Sequence, residues 1–405
     1  MSVGETVNDK KFDIMVAGHL CIDIIPRFID TGAAKLAELM RPGQLVEVDE
    51  ATISTGGSVS NTGVNMHNLG NRVCYCARVG DDAFGRMTVD LLGKSGSTAG
   101  IHLARGATSS YTIWIAPPRI DRMFLHYPGT NDSFSSTDLD PQLIGECRHF
   151  HFGYPQVMRR MFQENGADLQ TVFRLAKEAG ATTSCDFTLP DLNTPGGQTD
   201  WQPILEQTLP YIDMLLPSFE ELLYILDPDE YGKLKAKHGD AELIDIASPA
   251  RCSDLADKVL SMGTKLIALK LGHRGIYLKS VSEELFAPLG VPAPGEIGNW
   301  SARELWAPAL AIDEPMNTGG AGDVSIAGFL SAYLRGLSVE TALKYATCCG
   351  WQSIQVLDAV SGVQSWEDTT ALVQRGMATV DPVLAAETWQ YNDSSRLWTG
   401  PSDGR

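Results

Sequence analysis

The residues best suited to chemistry lie together at Asn317-Thr318-Gly319-Gly320-Ala321-Gly322-Asp323, followed by the apolar run Val324-Ser325-Ile326-Ala327-Gly328-Phe329-Leu330. A glycine-rich loop that opens into an apolar helix presents backbone N–H groups at the positive end of the helix dipole, where anions bind. Without side chains at Gly320 and Gly322, the backbone can approach a transferring phosphoryl group and stabilise its developing charge. Asp323 then falls in the first helical turn, beside that charge. A carboxylate there is costly unless it has a task, and accepting the proton of an attacking hydroxyl is such a task. The same residues also fit a tight turn with Asp323 as a helix cap. No Lys followed by Ser or Thr completes the loop, so it is not a Walker A loop.

Such a loop needs a scaffold, and the hydrophobic pattern supplies one. Residues 12–17 form a short apolar run closed by Gly18, the pattern of a buried parallel strand. The carboxyl end of such a strand is where α/β proteins place ligands. Residues 45–54 alternate weakly and predict a half-buried strand, broken by Gly56-Gly57. Helical spacing follows over 60–69, a strand over 73–79 and a helix over 82–92. From Thr108 the period changes to two, with Tyr111, Ile113 and Ile115 on one face, then Met123, Leu125 and Tyr127 after Pro117-Pro118. This is a hairpin signal, and a hairpin inserted into a βα-alternating chain predicts a separate small sheet or lid. Further strands at 149–152, 182–186, 214–216 and 266–270, with helices between them, predict a doubly wound, mostly parallel sheet covered on both faces. Segments 227–253, charged and without a clear core stripe, and 287–300, rich in Pro and Gly, read as insertions. The tail 387–405, polar apart from Trp389 and Trp398, reads as loosely attached.

Composition narrows the class. With 405 residues, 43% hydrophobic and 20% charged, the chain can bury a large core. A net charge of -18 repels phosphate backbones and anionic lipid, which argues against nucleic acid and membrane partners. The first thirteen residues are polar and lack a secretory apolar region, and no apolar run reaches bilayer length, so a cytoplasmic protein is expected. Eight cysteines include no Cys-x-x-Cys pair, the usage of buried reduced thiols. No Gly-x-Gly-x-x-Gly follows the first strand, which sets aside a dinucleotide-binding dehydrogenase.

Over most of its length the chain resembles the ribokinase-like carbohydrate kinases of the PfkB family. Thr318, Gly320, Ala321, Gly322 and Asp323 match the family's second signature, while Gly56-Gly57, Asn61, Gly80-Asp81-Asp82 and Gly85 match the first. The resemblance implies a single ribokinase-like domain over 1–405, with a β lid built from about 42–56 and 106–130. It implies ATP and Mg²⁺ as cofactors, a sugar-like substrate, and Asp323 as catalytic base beside Gly320, Ala321 and Gly322. Asp23, with Gly18 before it, resembles the family's early element whose Asp holds two substrate hydroxyls; Gly56, Gly57, Asn61 and Asn131 are the other substrate-site matches. A carboxylate suits that role because it accepts two charge-assisted hydrogen bonds from a polyol, although Asp23 also fits a plain turn residue. Thr318, Gly320, Gly322, Lys270, Gly272 and Ser218 are expected near the nucleotide. Glu221 is expected at Mg²⁺ through water, with a helix-start Glu favoured by the dipole as the alternative. Relatives often pair through lid strands, so a homodimer is implied.

The sequence also departs from the family pattern. Ser218 stands where an Asn is usual, and Cys21 where an Asn is common near the substrate. In many relatives the residues at positions 317 and 319 contribute to a monovalent-cation site; Asn317 and Gly319 lack one charge and one hydroxyl, which makes potassium activation doubtful. His19, Arg122, His126 and Asp186 lie near strand ends or lid segments, where surface or structural roles are expected. Trp201, Trp300 and Trp306 read as packing residues. A nucleoside kinase, a 2-keto-3-deoxy sugar acid kinase using Arg122, or a regulatory homologue without catalysis are the competing readings.

Overall fold

The computed structural model describes residues 10–404 apart from 121, 240, 287–296, 383 and 385–387. The large sheet begins with β1 (Phe12–Gly18), whose sequence FDIMVAG is buried along nearly its whole length. A continuous apolar run has no polar face to offer solvent, so it forms a central strand covered on both sides. β2 (Cys21–Phe28), β3 (Val48–Gly56), β6 (Tyr111–Ile115) and β7 (Met123–Tyr127) leave this sheet and form a four-stranded lid in the order β3-β2-β6-β7. The remaining strands are β4 (Val73–Gly80), β5 (Ser97–Ala104), β8 (Cys147–Gly153), β9 (Thr182–Asp186), β10 (Met214–Leu215), β11 (Leu266–Lys270), β12 (Ile276–Ser280), β13 (Glu304–Ala307), β14 (Gln390–Asn392) and β15 (Leu397–Thr399). Their order is β14-β15-β13-β12-β11-β10-β9-β8-β1-β4-β5. From β5 to β11 all neighbours pair in parallel, and from β11 to β14 they pair antiparallel. Two separate hydrophobic clusters occupy the two faces of the sheet. Among the described residues no helix is long and apolar enough to cross a membrane.

Three sequence expectations need correction. Segment 227–253, expected to lack a core stripe, does pack on the core through its described residues, with Tyr231, Leu234, Leu243 and Cys252 buried among the hydrophobic cluster. Its stripe was hidden because helix Pro228–His238 buries only two side chains among many charges. The tail is not loose either: β14 and β15 extend the sheet, Trp389 is buried, and Asp403 pairs with Arg303. Finally, β3 is mostly exposed until Thr55 and Gly56, and β7 is exposed on both faces. The lid thus presents apolar Ile53, Phe124 and Leu125 to solvent. Residues 287–296 of the Pro/Gly-rich segment lie outside the described residues.

Candidate active site

The parallel register brings the carboxyl ends of three adjacent strands level, pairing Gly18 with Gly153 and Gly153 with Asp186. The chain therefore delivers His19, Tyr154 and Asp186 to one rim. Helix Ala321–Leu334 is almost wholly buried and aims its N-terminus at that rim. Gly320 precedes it at φ +77°, a left-handed conformation, and a Cβ there would lie 2.5 Å from the Ala359 side chain. No side chain caps this helix. Asp323 does not serve as the cap that its position allowed; Ala321 N turns back to Thr318 O at 3.3 Å, and the N–H groups of Gly322 and Asp323 are those placed to meet an anion.

Asp323 spends its carboxylate elsewhere. Its Oδ2 accepts from Tyr154 Oη at 2.7 Å and from Asn61 Nδ2 at 2.9 Å. Its Oδ1 is buried and has no partner among the described residues, and the same holds for Asn61 Oδ1. Burial raises the Asp323 pKa, while the Tyr154 and Asn61 hydrogen bonds and the Lys270 charge hold it down. Helix Ser58–Asn68 supplies Asn61 directly after the Gly56-Gly57 break.

Asp23 lies on the lid side of the same space. A Cβ on Gly56 would fall 2.0 Å from its Oδ2, so only glycine lets β3 pass this carboxylate. Burial pushes the Asp23 pKa up to about 6, against hydrogen bonds from Cys21, Trp114 and Thr112. Trp114 lies between the two carboxylate regions: it helps hold the Asp23 pKa down, and its ring edge would lie 3.1 Å from a Cβ on Gly319. The lid face that looks into the site is thus the Thr112 and Trp114 face, alternate to the one carrying Tyr111 and Ile113. From it His126 meets His19, Nε2 to Nε2 at 3.3 Å, and bonds Thr112 through Nδ1.

A third group sits under the glycine loop. Lys270, at the end of β11, forms an ion pair with buried Asp186, and its Cε would lie 3.2 Å from a Cβ on Gly322. Burial works against the charge of this ammonium, but Asp186, Glu221 and Asp323 together keep its pKa raised. Glu221 joins Ser218 in a capping box: Ser218 N donates to Glu221 Oε2 at 2.6 Å, and Glu221 N donates to Ser218 Oγ at 3.3 Å. The Lys270 turn closes through Gly272 and Gly275.

Among the expected site residues, Asp323, Gly320, Ala321, Gly322, Asn61, Asp23, Gly56 and Gly57 come together. Thr318 is in the loop as well, where its hydroxyl accepts from Arg122. Asn131 does not face the pocket with free groups; its amide is spent on both backbone groups of Leu20, holding the β1–β2 connection. His19, Arg122, His126 and Asp186, expected in surface or structural roles, all border the site, while Trp201, Trp300 and Trp306 are buried packing residues. Tyr154 was missed altogether. Its position one residue past a buried strand was the available signal, since α/β ligand sites form at that end.

Replacing Tyr154 by Phe removes a hydrogen bond to the ionised form of Asp323, so the Asp323 pKa rises further. The Asp323 carboxyl should titrate at higher pH than in the parent when followed by carbon NMR of labelled aspartate. A titration curve coinciding with the parent's would show that the Tyr154 hydroxyl does not tune the carboxylate.

The sequence profile of the pfkB family carbohydrate kinases matches residues 11–366. The chain belongs to the pfkB family of carbohydrate kinases. This kinase is 22% identical over 371 residues to probable fructokinase-7 of Arabidopsis thaliana, covering 89% of this chain and 92% of that protein. It is 27% identical over 285 residues to probable fructokinase-4 of the same plant, covering 67% and 74%. Among solved structures, a ribokinase of Arabidopsis thaliana complexed with ribose and ATP superposes with TM-score 0.65 at 17% identity, covering 90% and 99%. A fructokinase of Xylella fastidiosa with bound ATP gives 0.66 at 16% identity, covering 90% and 98%. These likenesses fix the ribokinase-like α/β fold with its separate smaller sheet. The pfkB kinase is a sugar kinase, transferring phosphate from ATP to a hydroxyl.

Proposed function

We propose that this kinase phosphorylates a neutral sugar, with fructose the first candidate, and that Asp323 is the base. The observation that carries the reading is the pair of buried, partnerless acceptors Asp323 Oδ1 and Asn61 Oδ1. A buried acceptor without a donor is costly, and a polyol brings hydroxyl donors that relieve it. Asp23, ionised above pH about 6, offers further acceptors across the same space. Both relatives described above are named probable fructokinases. Arg122 is bonded to Asn317 and Thr318, which speaks against its serving a sugar-acid carboxylate.

The uncapped N-terminus of helix Ala321–Leu334 fits the phosphates of ATP, with Gly320 to Gly322 against them. Among the described residues no cluster of three or more His, Cys, Asp or Glu side chains forms a metal cage. Glu221, one of whose oxygens is taken by Ser218 N, would hold Mg²⁺ through water, and the ion would neutralise charge on the transferring phosphate. Asp323 Oδ1 takes the proton of the reacting hydroxyl as it attacks in line, while Tyr154 and Asn61 fix the other oxygen.

A panel of ketohexoses, aldoses, sugar acids and nucleosides, scored by ADP release, tests the substrate. Fructose should lead, with kcat/KM falling as pH drops through about 6 and Asp23 is protonated. Asp23→Asn should raise KM for the sugar by on the order of 10²-fold with less effect on KM for ATP. Preference for a nucleoside or a sugar acid would overturn the substrate reading, and no ADP release with any acceptor would leave a binding protein without catalysis.

A further inference from the structure

The place where many relatives use a monovalent cation is built differently here. Asn317 is buried beside the glycine loop, and both ends of its side-chain amide are engaged. Oδ1 accepts from Gly319 N at 2.9 Å and from the guanidinium of Arg122, while Nδ2 donates to the carbonyl of Leu357. The Gly319 N–H requires an acceptor, which fixes the orientation of the amide. Met316 N adds a bond to Ile354 O, so this side chain and its neighbour tie the phosphate loop to the segment that follows helix Val339–Ser353.

A hard cation between these two loops would need oxygen atoms turned toward it. Here the Leu357 carbonyl already receives an N–H, the Asn317 oxygen is neutral and faces two donors, and Gly319 carries no hydroxyl. A cation would also meet the positive charge of Arg122, which reaches Thr318 Oγ1 at 2.8 Å. The residues present do not fit the ion. They supply what it would: the amide makes the link between loops, and the guanidinium brings a fixed positive charge to the phosphate loop. Because Arg122 stands at the start of lid strand β7, that charge belongs to the lid.

We infer that the Asn317 amide, completed by Arg122, replaces the monovalent cation, so that this kinase turns over without potassium. The test takes the purified full chain with ATP, Mg²⁺ and its best sugar, exchanging tetramethylammonium chloride for potassium chloride at constant ionic strength. Turnover and melting temperature of the parent should be unchanged by the exchange. Asn317→Asp replaces the donor by an oxygen facing the Leu357 carbonyl. It should lose about tenfold in turnover and melt lower in tetramethylammonium, and potassium should restore part of both. Activation of the parent by potassium of about fivefold or more would overturn the inference. So would an Asn317→Asp protein that behaves like the parent without potassium, or one whose loss potassium leaves unrelieved. The melting arm is independent of the substrate assignment, so failure of the sugar reading and failure of this inference are told apart.

Discussion

Asp323→Asn should lower kcat by about 10²- to 10⁴-fold while leaving nucleotide affinity and melting temperature close to those of the parent. The two oxygens of Asp323 have separate work. Oδ2 is held by Tyr154 and Asn61, and an amide oxygen can accept the same two bonds. Oδ1 is buried without a partner, and in the variant a non-basic NH₂ takes that place. The pocket keeps its shape and loses only the ability to take a proton. Stability should not suffer, because burial raises the pKa of this acid and its charged form is a cost to the native state at neutral pH. Measuring ADP release, nucleotide binding by calorimetry and thermal melting on one preparation separates these effects. A variant that retains near-normal turnover would remove Asp323 from the role of base; one that fails to melt cooperatively would show that the carboxylate holds the fold instead.

Lys270→Met should produce the largest loss of stability among single changes at this site, about 3–5 kcal/mol. Lys270 is the cation that faces Asp186, Glu221 and Asp323, and Asp186 is its direct partner. Methionine preserves the aliphatic packing under Gly322 and removes the charge. The remaining acids are then buried without compensation. The pH dependence has a definite sign. Burial already raises the Asp186 pKa well above the usual carboxylate range with Lys270 in place, and losing the ammonium raises it further, so at neutral pH the native variant must take up a proton that the unfolded chain does not hold; that cost disappears as pH falls toward the ordinary carboxylate range. The deficit relative to the parent should therefore shrink as pH falls. Urea unfolding of parent and variant across acid and neutral pH measures it, and adding Asp186→Asn to Lys270→Met should recover part of the loss. A deficit below about 1 kcal/mol, the size of an exposed pair, would mean that solvent already screens the lysine.

Much of the scaffold is readable from local pattern. Residues 12–17, 73–79 and 266–270 are short runs dominated by apolar side chains, while 182–186 starts with two β-branched threonines, and each became a strand of the large sheet. The hairpin of β6 and β7 was visible because period two survives partial burial. The hidden stripe of helix Pro228–His238 and the anchored tail were not visible, since each rests on contacts that only the folded chain makes. A one-residue choice of face decided the lid: Thr112 and Trp114, polar and bulky, looked less like an inward surface than Tyr111, Ile113 and Ile115.

By itself the sequence determined the helix-opening glycine loop with Asp323, the Gly56-Gly57 break before Asn61, and the alternation of strands and helices. Each depends on residues close in the chain, where backbone freedom and hydrophobic period act directly. Only the tertiary structure decided that Tyr154 holds Asp323, that Lys270 pairs with Asp186, and that Arg122 reaches Asn317 from the lid. These partners are separated by 169, 84 and 195 positions. Such bonds follow from which strand ends the parallel register brings level and how the lid lies over them, and no local propensity encodes that.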